Sequence, residues 1–179
     1  MSQRKEILNS GEMADMITRM VFQILESVRS SKEFAIVGIK NGGAVLAQRI
    51  AERIGDFSKN TPDVGYLDIT LYRDDLLQTQ IADLPIVQGT EINFDISGKH
   101  IILIDDVIYT GRTVRAALDA LTDLGRPSKI SLAALIDRGH RELPIQADFT
   151  GRCVPTSLKE SIQVNFEESA GVDSVEIIK

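Results

Sequence analysis

Ile101-Ile102-Leu103-Ile104-Asp105-Asp106-Val107-Ile108-Tyr109-Thr110-Gly111-Arg112-Thr113 decides the fold of this chain. Its first four residues, all branched and apolar, read as a fully buried strand. The strand ends in two adjacent carboxylates, passes a Thr-Gly turn, and enters a helix marked by Val114, Ala117, Leu118 and Leu121. Strand, polar turn and helix N-terminus together make an anion site, because the first helical amides lack internal partners and carry the positive end of the dipole. Beside such a cradle, Asp105 and Asp106 suit sugar hydroxyls or Mg²⁺, so a phosphorylated sugar is the expected ligand. The plain alternative is an ordinary strand-turn-helix with solvated aspartates, and receiver-like α/β domains also carry carboxylates at strand ends. Thr110, Gly111 and Thr113 favour the phosphate, since small hydrogen-bonding residues stand where the anion would sit.

Working outward, Phe34 to Ile39 is another short buried strand, running through Lys40-Asn41-Gly42-Gly43 into a helix with Val45, Leu46, Ile50 and Ile54. Gly55 is expected to end that helix. Ser10-Gly11-Glu12 opens an earlier helix carrying Met13, Met16, Ile17, Met20, Phe22, Ile24 and Leu25 at helical spacing. Val64 to Tyr72 and Lys129 to Ile136 read as further strands, the second followed by the charged loop Asp137-Arg138-Gly139-His140-Arg141. From Asp148 on, the stretches Asp148 to Val154, Ile162 to Phe166 and Ser174 to Ile178 look strand-like, without helices. Residues 73–95 are polar and broken by Pro85 and Gly89; a connection of that length is a functional lid or disordered. His100 is expected to be solvated at a strand entrance.

Strands alternating with helices imply right-handed crossovers and a parallel sheet covered on both faces. Ligands collect at the carboxyl ends of such strands. Lys40 to Gly43, Tyr72-Arg73-Asp74-Asp75, Asp105 to Thr113, and Asp137-Arg138 all follow strands and should converge on one sheet edge.

The 179 residues suit one domain over 1–179, and 43% hydrophobic content is ordinary for a globular protein. No apolar run approaches the ~20 residues of a membrane span, and no secretory segment is visible. Cys153 is the only cysteine, which excludes an internal disulfide and a paired-thiol zinc site. The cytoplasm is the expected location. A net charge of −6 argues against indiscriminate polyanion binding, though not against a basic patch assembled across an oligomer.

The run from Asp105 to Thr113 resembles the phosphoribosyl pyrophosphate (PRPP) motif of type I phosphoribosyltransferases. That resemblance implies a single-domain α/β fold, with a central parallel sheet flanked by helices, a small hood and a flexible active-site loop. It implies that Val107, Ile108, Tyr109, Thr110, Gly111, Arg112 and Thr113 hold the ribose 5-phosphate. Asp105 and Asp106 would address the ribose hydroxyls, directly or through Mg²⁺ and water.

Leu67 to Asp75, Asp106 to Ala117 and Asp137 to Pro144, with Val154-Pro155-Thr156-Ser157, together look like the PyrR family of pyrimidine-operon attenuation regulators that are also uracil phosphoribosyltransferases. This resemblance implies uracil, PRPP and uridine monophosphate as ligands, with Mg²⁺ accompanying the diphosphate. It makes Lys40-Asn41-Gly42-Gly43 the pyrophosphate loop, with Asn41 and Gly42 contacting PRPP. The family typically has Thr-Arg-Gly at 41–43, so loss of the arginine should weaken pyrophosphate contact; a Lys-Gly-Gly loop in hypoxanthine phosphoribosyltransferases indicates that backbone binding can suffice. Arg73 would meet pyrophosphate as the long loop closes, and Ile136, Asp137 and Arg138 would read uracil, largely through the backbone.

For leader RNA the family resemblance points to Thr18, Arg19, His140, Arg141 and Arg152. Phe22 replaces a family histidine and Gln146 a family arginine, each removing a polar contact to RNA. Two other readings stay open: an RNA-binding attenuator using the site as a nucleotide sensor, and a phosphoribosyltransferase for another base. The resemblance also implies a homodimer or larger assembly.

Overall fold

Alternation along the strands sorts the core into two layers. In the computed structural model, which describes residues 4–29, 31, 33–73 and 89–179, five parallel strands lie in the order β3-β2-β4-β5-β6. They are β2 (Phe34–Ile39), β3 (Asp63–Leu67), β4 (His100–Ile108), β5 (Lys129–Asp137) and β6 (Phe149–Cys153). Ile102 and Ile104 point to the face covered by α1 (Ser10–Val28) and α2 (Gly42–Ser58). Ile101 and Leu103 point to the other face, under Val114, Ala117 and Leu121 of α3 (Arg112–Leu124). Burial on both faces explains why β4 and β5 are continuous apolar runs rather than alternating ones.

A second, antiparallel sheet in the order β1-β8-β7 joins β1 (Arg4–Leu8), β8 (Ser174–Ile178) and β7 (Ser161–Asn165). This is the hood. Phe166 and Val175 pack into the α1/α2 side of the core. Arg49 of α2 grips it electrostatically, donating to Glu168 at 2.5 and 2.8 Å and to Asp173 at 2.7 and 2.8 Å.

Helix α1 opens at Ser10 as expected, capped by Asn9: its side chain accepts from the Glu12 N–H, while the Glu12 carboxylate accepts from the Asn9 N–H, a capping box. Several other boundaries depart from the sequence expectation, each for a local reason. The polar strand β1 ahead of α1 gave no apolar signal, because its exposed residues pair at the chain's other end. Helix α2 passes through Gly55 and ends at Ser58; Lys59 in the left-handed region supplies the cap, its N–H donating to the Gly55 carbonyl. Val64 to Tyr72 is not one strand. It breaks after Leu67, where the Asp68 carboxylate accepts from the Thr70 N–H and hydroxyl and initiates the 3₁₀ turn Thr70–Tyr72. The hood also holds the four-residue helix α4 (Glu167–Ala170).

His100 does open β4, but it is buried, with its two ring nitrogens hydrogen-bonded to the hydroxyls of Ser31 and Ser131 at 3.0 and 3.1 Å. Asp74, Asp75 and Pro85, and with them most of the expected lid, lie outside the described residues. Among the described residues, no helix is long and apolar enough to cross a membrane.

Candidate active site

The chain order reverses across β2: β3 is added on one side and β4 on the other. Such a switch point opens a crevice at the carboxyl ends of the diverging strands. The loop Lys40 to Gly43 leaves β2 there, and Asp105 and Asp106 stand at the end of β4. Glycine is required in this loop for close approach. A Cβ at Gly43 would come within 2.4 Å of the Ile104 carbonyl oxygen, and one at Gly42 within 2.2 Å of Asp106 Oδ2. The Lys40–Asn41 peptide is cis.

The alternation of β4 gives its two carboxylates different neighbours. Asp106 continues the Ile102, Ile104 series and meets Gly42 of the loop. Asp105 continues the Ile101, Leu103 series and lines the cavity in front of α3. Local amides orient both: the Asp106 N–H donates to Asp105 Oδ1 at 3.0 Å, and the Val107 N–H to Asp106 Oδ1 at 2.9 Å. Burial pushes the Asp105 carboxyl well above the usual carboxylate range, the neighbouring Asp106 charge adds to this, and the charge of Arg73 opposes it. Burial also raises Asp106. Asp105 faces the cavity and Asp106 the glycine loop, so a cation or hydroxyl donors brought to them would favour the ionised forms that burial opposes.

The cavity, about 370 Å³, is lined by Arg73, Asp105, the run Val107 to Val114, and Glu142. Gly111 turns the chain into α3 with φ +94°, a conformation that L side chains rarely adopt. The Thr110 hydroxyl accepts from the Arg112 N–H at 3.3 Å, and the first turn of α3 lines the cavity through Arg112, Thr113 and Val114. The loop after β5 closes the other wall. Glu142 and Leu143 donate N–H bonds to the Thr110 carbonyl, Arg141 donates to the Tyr109 carbonyl at 2.7 Å, and Arg112 pairs with Glu142 at 2.6 Å.

A second cavity, about 410 Å³, lies at the ends of β5 and β6, lined by Asp137, Arg138, Gly139, His140, Cys153, Pro155 and Thr156. Ile136, expected beside the base, is fully buried in β5. Arg138 is buried too: its guanidinium lies 4.0 Å from the Tyr109 ring centroid. It donates to the Thr156 hydroxyl and to the Ser157 and Glu160 carbonyls. It therefore clamps the 156–160 turn of the hood against the phosphate loop. His140, in the left-handed region, hydrogen-bonds the Thr156 carbonyl through Nε2 at 2.6 Å. Thr156, Glu142 and the hood turn were not assigned roles from sequence; only the resemblance over Asp137 to Pro144 and Val154 to Ser157 pointed toward them.

The residues named for RNA fall into two groups. Thr18 and Arg19 of α1 lie beside β6: Arg19 donates to the Gly151 carbonyl, and Arg152 to the Ile7 carbonyl at 3.0 Å. Thr18 accepts from Arg53 and donates to the Ala14 carbonyl. Phe22 is exposed and packs on Phe57, ring centroids 4.7 Å apart. His140 and Arg141 belong to the active-site rim, where Arg141 is committed to Asp137, Tyr109 and Ile145.

A five-stranded parallel sheet whose switch point joins a glycine loop, a carboxylate pair and a phosphate-sized helix N-terminus defines a phosphoribosyltransferase. The phosphoribosyl transferase domain family matches residues 3–166. Solved relatives in fold include a hypoxanthine-guanine phosphoribosyltransferase from Bacillus anthracis, TM-score 0.71, 17% identical over 100% of both chains. Another is the hypoxanthine phosphoribosyltransferase of Trypanosoma cruzi, TM-score 0.73, 13% identical, covering 97% of this chain and 95% of that one.

Similarity in sequence is much stronger to proteins named "Bifunctional protein PyrR". The Ligilactobacillus salivarius protein is 50% identical, covering 98% of both chains. The Thermus thermophilus protein is 53% identical, covering 97% of this chain and 95% of its own. The Chloroflexus aurantiacus protein is 51% identical, covering 100% and 97%. The chain belongs to the PyrR family.

Proposed function

We propose that the chain transfers the phosphoribosyl group of PRPP to uracil, forming uridine monophosphate and diphosphate. The observation that carries this reading is the Asp105-Asp106 pair at the switch point, Asp105 buried and Asp106 half-buried, set between a glycine loop and the cavity at the start of α3. The base nitrogen attacks the anomeric carbon as diphosphate departs, through an oxocarbenium-like state. The residues of 107–113 hold the 5-phosphate, Asp105 and Asp106 orient the ribose hydroxyls, and the backbone at Asn41 and Gly42 receives the leaving diphosphate, which Arg73 approaches from the cavity rim. Uracil takes the second cavity, at Asp137 and Arg138, with Ile136 buried behind them in β5. No covalent nucleophile is needed; rate comes from positioning and from preorganised dipoles.

Mg²⁺ fits this donor set. Among the described residues no group of three or more His, Cys, Asp or Glu side chains could hold a metal. Two hard carboxylates remain, and Mg²⁺ is commonly bound by one or two carboxylates plus substrate phosphates and water. When bound, it neutralises charge on the diphosphate.

Leader RNA is the proposed second ligand, on the face of Thr18, Arg19 and Arg152 with His140 and Arg141, in a homodimer or larger assembly. The exposed Phe22 and Gln146 remove two polar contacts from it. Steady-state assays with a panel of bases and PRPP test the enzyme reading. Asp105→Asn with Asp106→Asn should nearly abolish uridine monophosphate formation, and full activity in that variant would sink the assignment. A leader-RNA gel shift with and without uridine monophosphate tests the other, and binding without turnover would favour a nucleotide sensor.

A further inference from the structure

We infer that Lys40 is a positioning residue for the diphosphate subsite: its ammonium is committed to residues 89–91, so that it anchors the backbone of Asn41 and Gly42 rather than meeting the diphosphate itself. The role rests on the phosphoribosyl reading above and belongs to a side chain to which that reading gives no duty.

A lysine at the mouth of an anion loop looks, by charge alone, like a ligand of the anion. Its partners here say otherwise. Lys40 Nζ donates to the Glu91 carboxylate at 2.5 Å and to the Gly89 carbonyl at 2.9 Å; the lysine side chain is largely buried, while that of Glu91 is exposed. Both acceptors sit on a fixed segment. Glu91 exchanges backbone hydrogen bonds with Tyr66 of β3 at 2.7 and 2.9 Å, and the Gly89 N–H donates to the Asp68 carboxylate at 3.0 Å. Residues 89–91 therefore flank β3 on the side away from β2, and Lys40 ties the loop to them. The Lys40 N–H itself donates to the Leu67 carbonyl at 3.0 Å, extending the β2–β3 ladder by one bond into the loop. At the far end of the loop, Gly43 is seated by contact: a Cβ at Gly38 would lie 2.5 Å from its carbonyl oxygen. Asn41 adds no side-chain cap to α2. The two residues proposed to receive the diphosphate thus hang between two anchors, and one anchor is the Lys40 side chain. An anion site works through donors that are held in place before the charge arrives.

The two roles open to Lys40 predict opposite signs at Glu91. If Lys40 meets the diphosphate, Glu91 competes for its ammonium and sets a negative charge near an anion site, so Glu91→Ala tightens binding. If Lys40 positions the loop, Glu91→Ala frees the loop and weakens binding, against the sign of the charge change. Wild type, Glu91→Ala, Lys40→Met and the double variant are compared by calorimetry with diphosphate plus Mg²⁺ and with uridine monophosphate, beside the KM for PRPP and for uracil. Glu91→Ala should weaken diphosphate binding and raise the KM for PRPP, each by about fivefold. Affinity for uridine monophosphate and the KM for uracil should stay within about twofold, because neither ligand occupies the loop. Lys40→Met should lose at least as much as Glu91→Ala, since it also gives up the Gly89 carbonyl, and adding Glu91→Ala to it should change binding by less than about twofold. The exposure of Glu91 keeps the fall in melting midpoint below about 4 °C, so the variant is measured as a folded protein. Diphosphate binding that tightens or holds level in Glu91→Ala, or that falls again by about fivefold on the Lys40→Met background, overturns the role and leaves the phosphoribosyl reading standing. Uridine monophosphate binding weakened as much as diphosphate binding also overturns it, because the disturbance is then not confined to the loop. A wild type that binds neither ligand and forms no product overturns the phosphoribosyl reading, and the role of Lys40 with it.

Discussion

Asp105 shows how a single residue can serve function against stability. Its folded-state pKa is raised by burial and by the Asp106 charge, so the native protein resists an ionisation that the unfolded chain completes in the ordinary aspartate range. Stability from this group is therefore fully present below the ordinary aspartate range and is lost as pH rises toward the folded value. At pH 7 the carboxyl is a liability that folding tolerates. Asp105→Asn keeps the acceptor for the Asp106 N–H and removes the buried charge. It should raise the midpoint at pH 7, about 2–4 °C per kcal/mol gained in a chain of this size, while uridine monophosphate formation falls by orders of magnitude. Differential scanning fluorimetry beside the activity assay reads both. A variant less stable than wild type at pH 7 would refute the account.

At the scale of elements, the site is held by loops stapled to one another rather than by strands alone. Arg138 is the main staple between core and hood, since one buried guanidinium serves Thr156, Ser157 and Glu160 and also lies over Tyr109. Arg138→Lys keeps the charge but loses the planar fork and its stacking. At least one buried acceptor is then unserved, at about 1–3 kcal/mol. The expected kinetic signature is a KM for uracil raised about tenfold with the KM for PRPP little changed, because the turn beside the proposed uracil cavity loosens while the 107–113 loop keeps its bonds from Arg141, Glu142 and Leu143; equal effects on both substrates would count against it. This element also marks the limit of the sequence reading. The buried strands β2, β4 and β5, the Thr-Gly turn and the convergence of their loops were legible because continuous apolar runs ending in polar turns carry that information locally. The paths of β1, the 3₁₀ turn after Asp68 and the Arg138 clamp were not. Exposed strands have no apolar period, a carboxylate that redirects its own backbone looks like any polar residue, and Arg138 gains its partners from a segment about twenty residues away.

Across the whole molecule, core and hood are joined by apolar packing and by one concentrated charge cluster. Arg49 bridges Glu168 and Asp173 and lies 5.2 Å from the Phe166 ring centroid. The hydrogen bonds from Arg49 hold both carboxyls below their ordinary values, and the guanidinium is raised in turn. Stability from these acids is present above their unfolded range and is lost as pH falls through their folded values. His100 acts in the same direction higher on the scale: burial lowers its pKa, so from about 6.5 downward the unfolded chain takes up a proton that the native ring resists. Asp105 and Asp106 run the other way. Melting midpoints from pH 8 to 2 should thus fall in two stages, the first below about 6.5 from His100 and the second below about 4.5 with the Arg49 cluster contributing, while the active-site pair opposes the decline above the ordinary aspartate range. Arg49→Met strands two carboxylates at the hood boundary. It should cost about 1 kcal/mol at pH 7, because only Asp173 is largely screened from water, or a few degrees in the midpoint, and should shrink the second stage because the pull of Arg49 on both acids is gone. An unchanged midpoint at pH 7, or a second stage surviving intact, would mean that the hood is held by its apolar underside at Phe166 and Val175 and by the Arg138 clamp, without the Arg49 cluster.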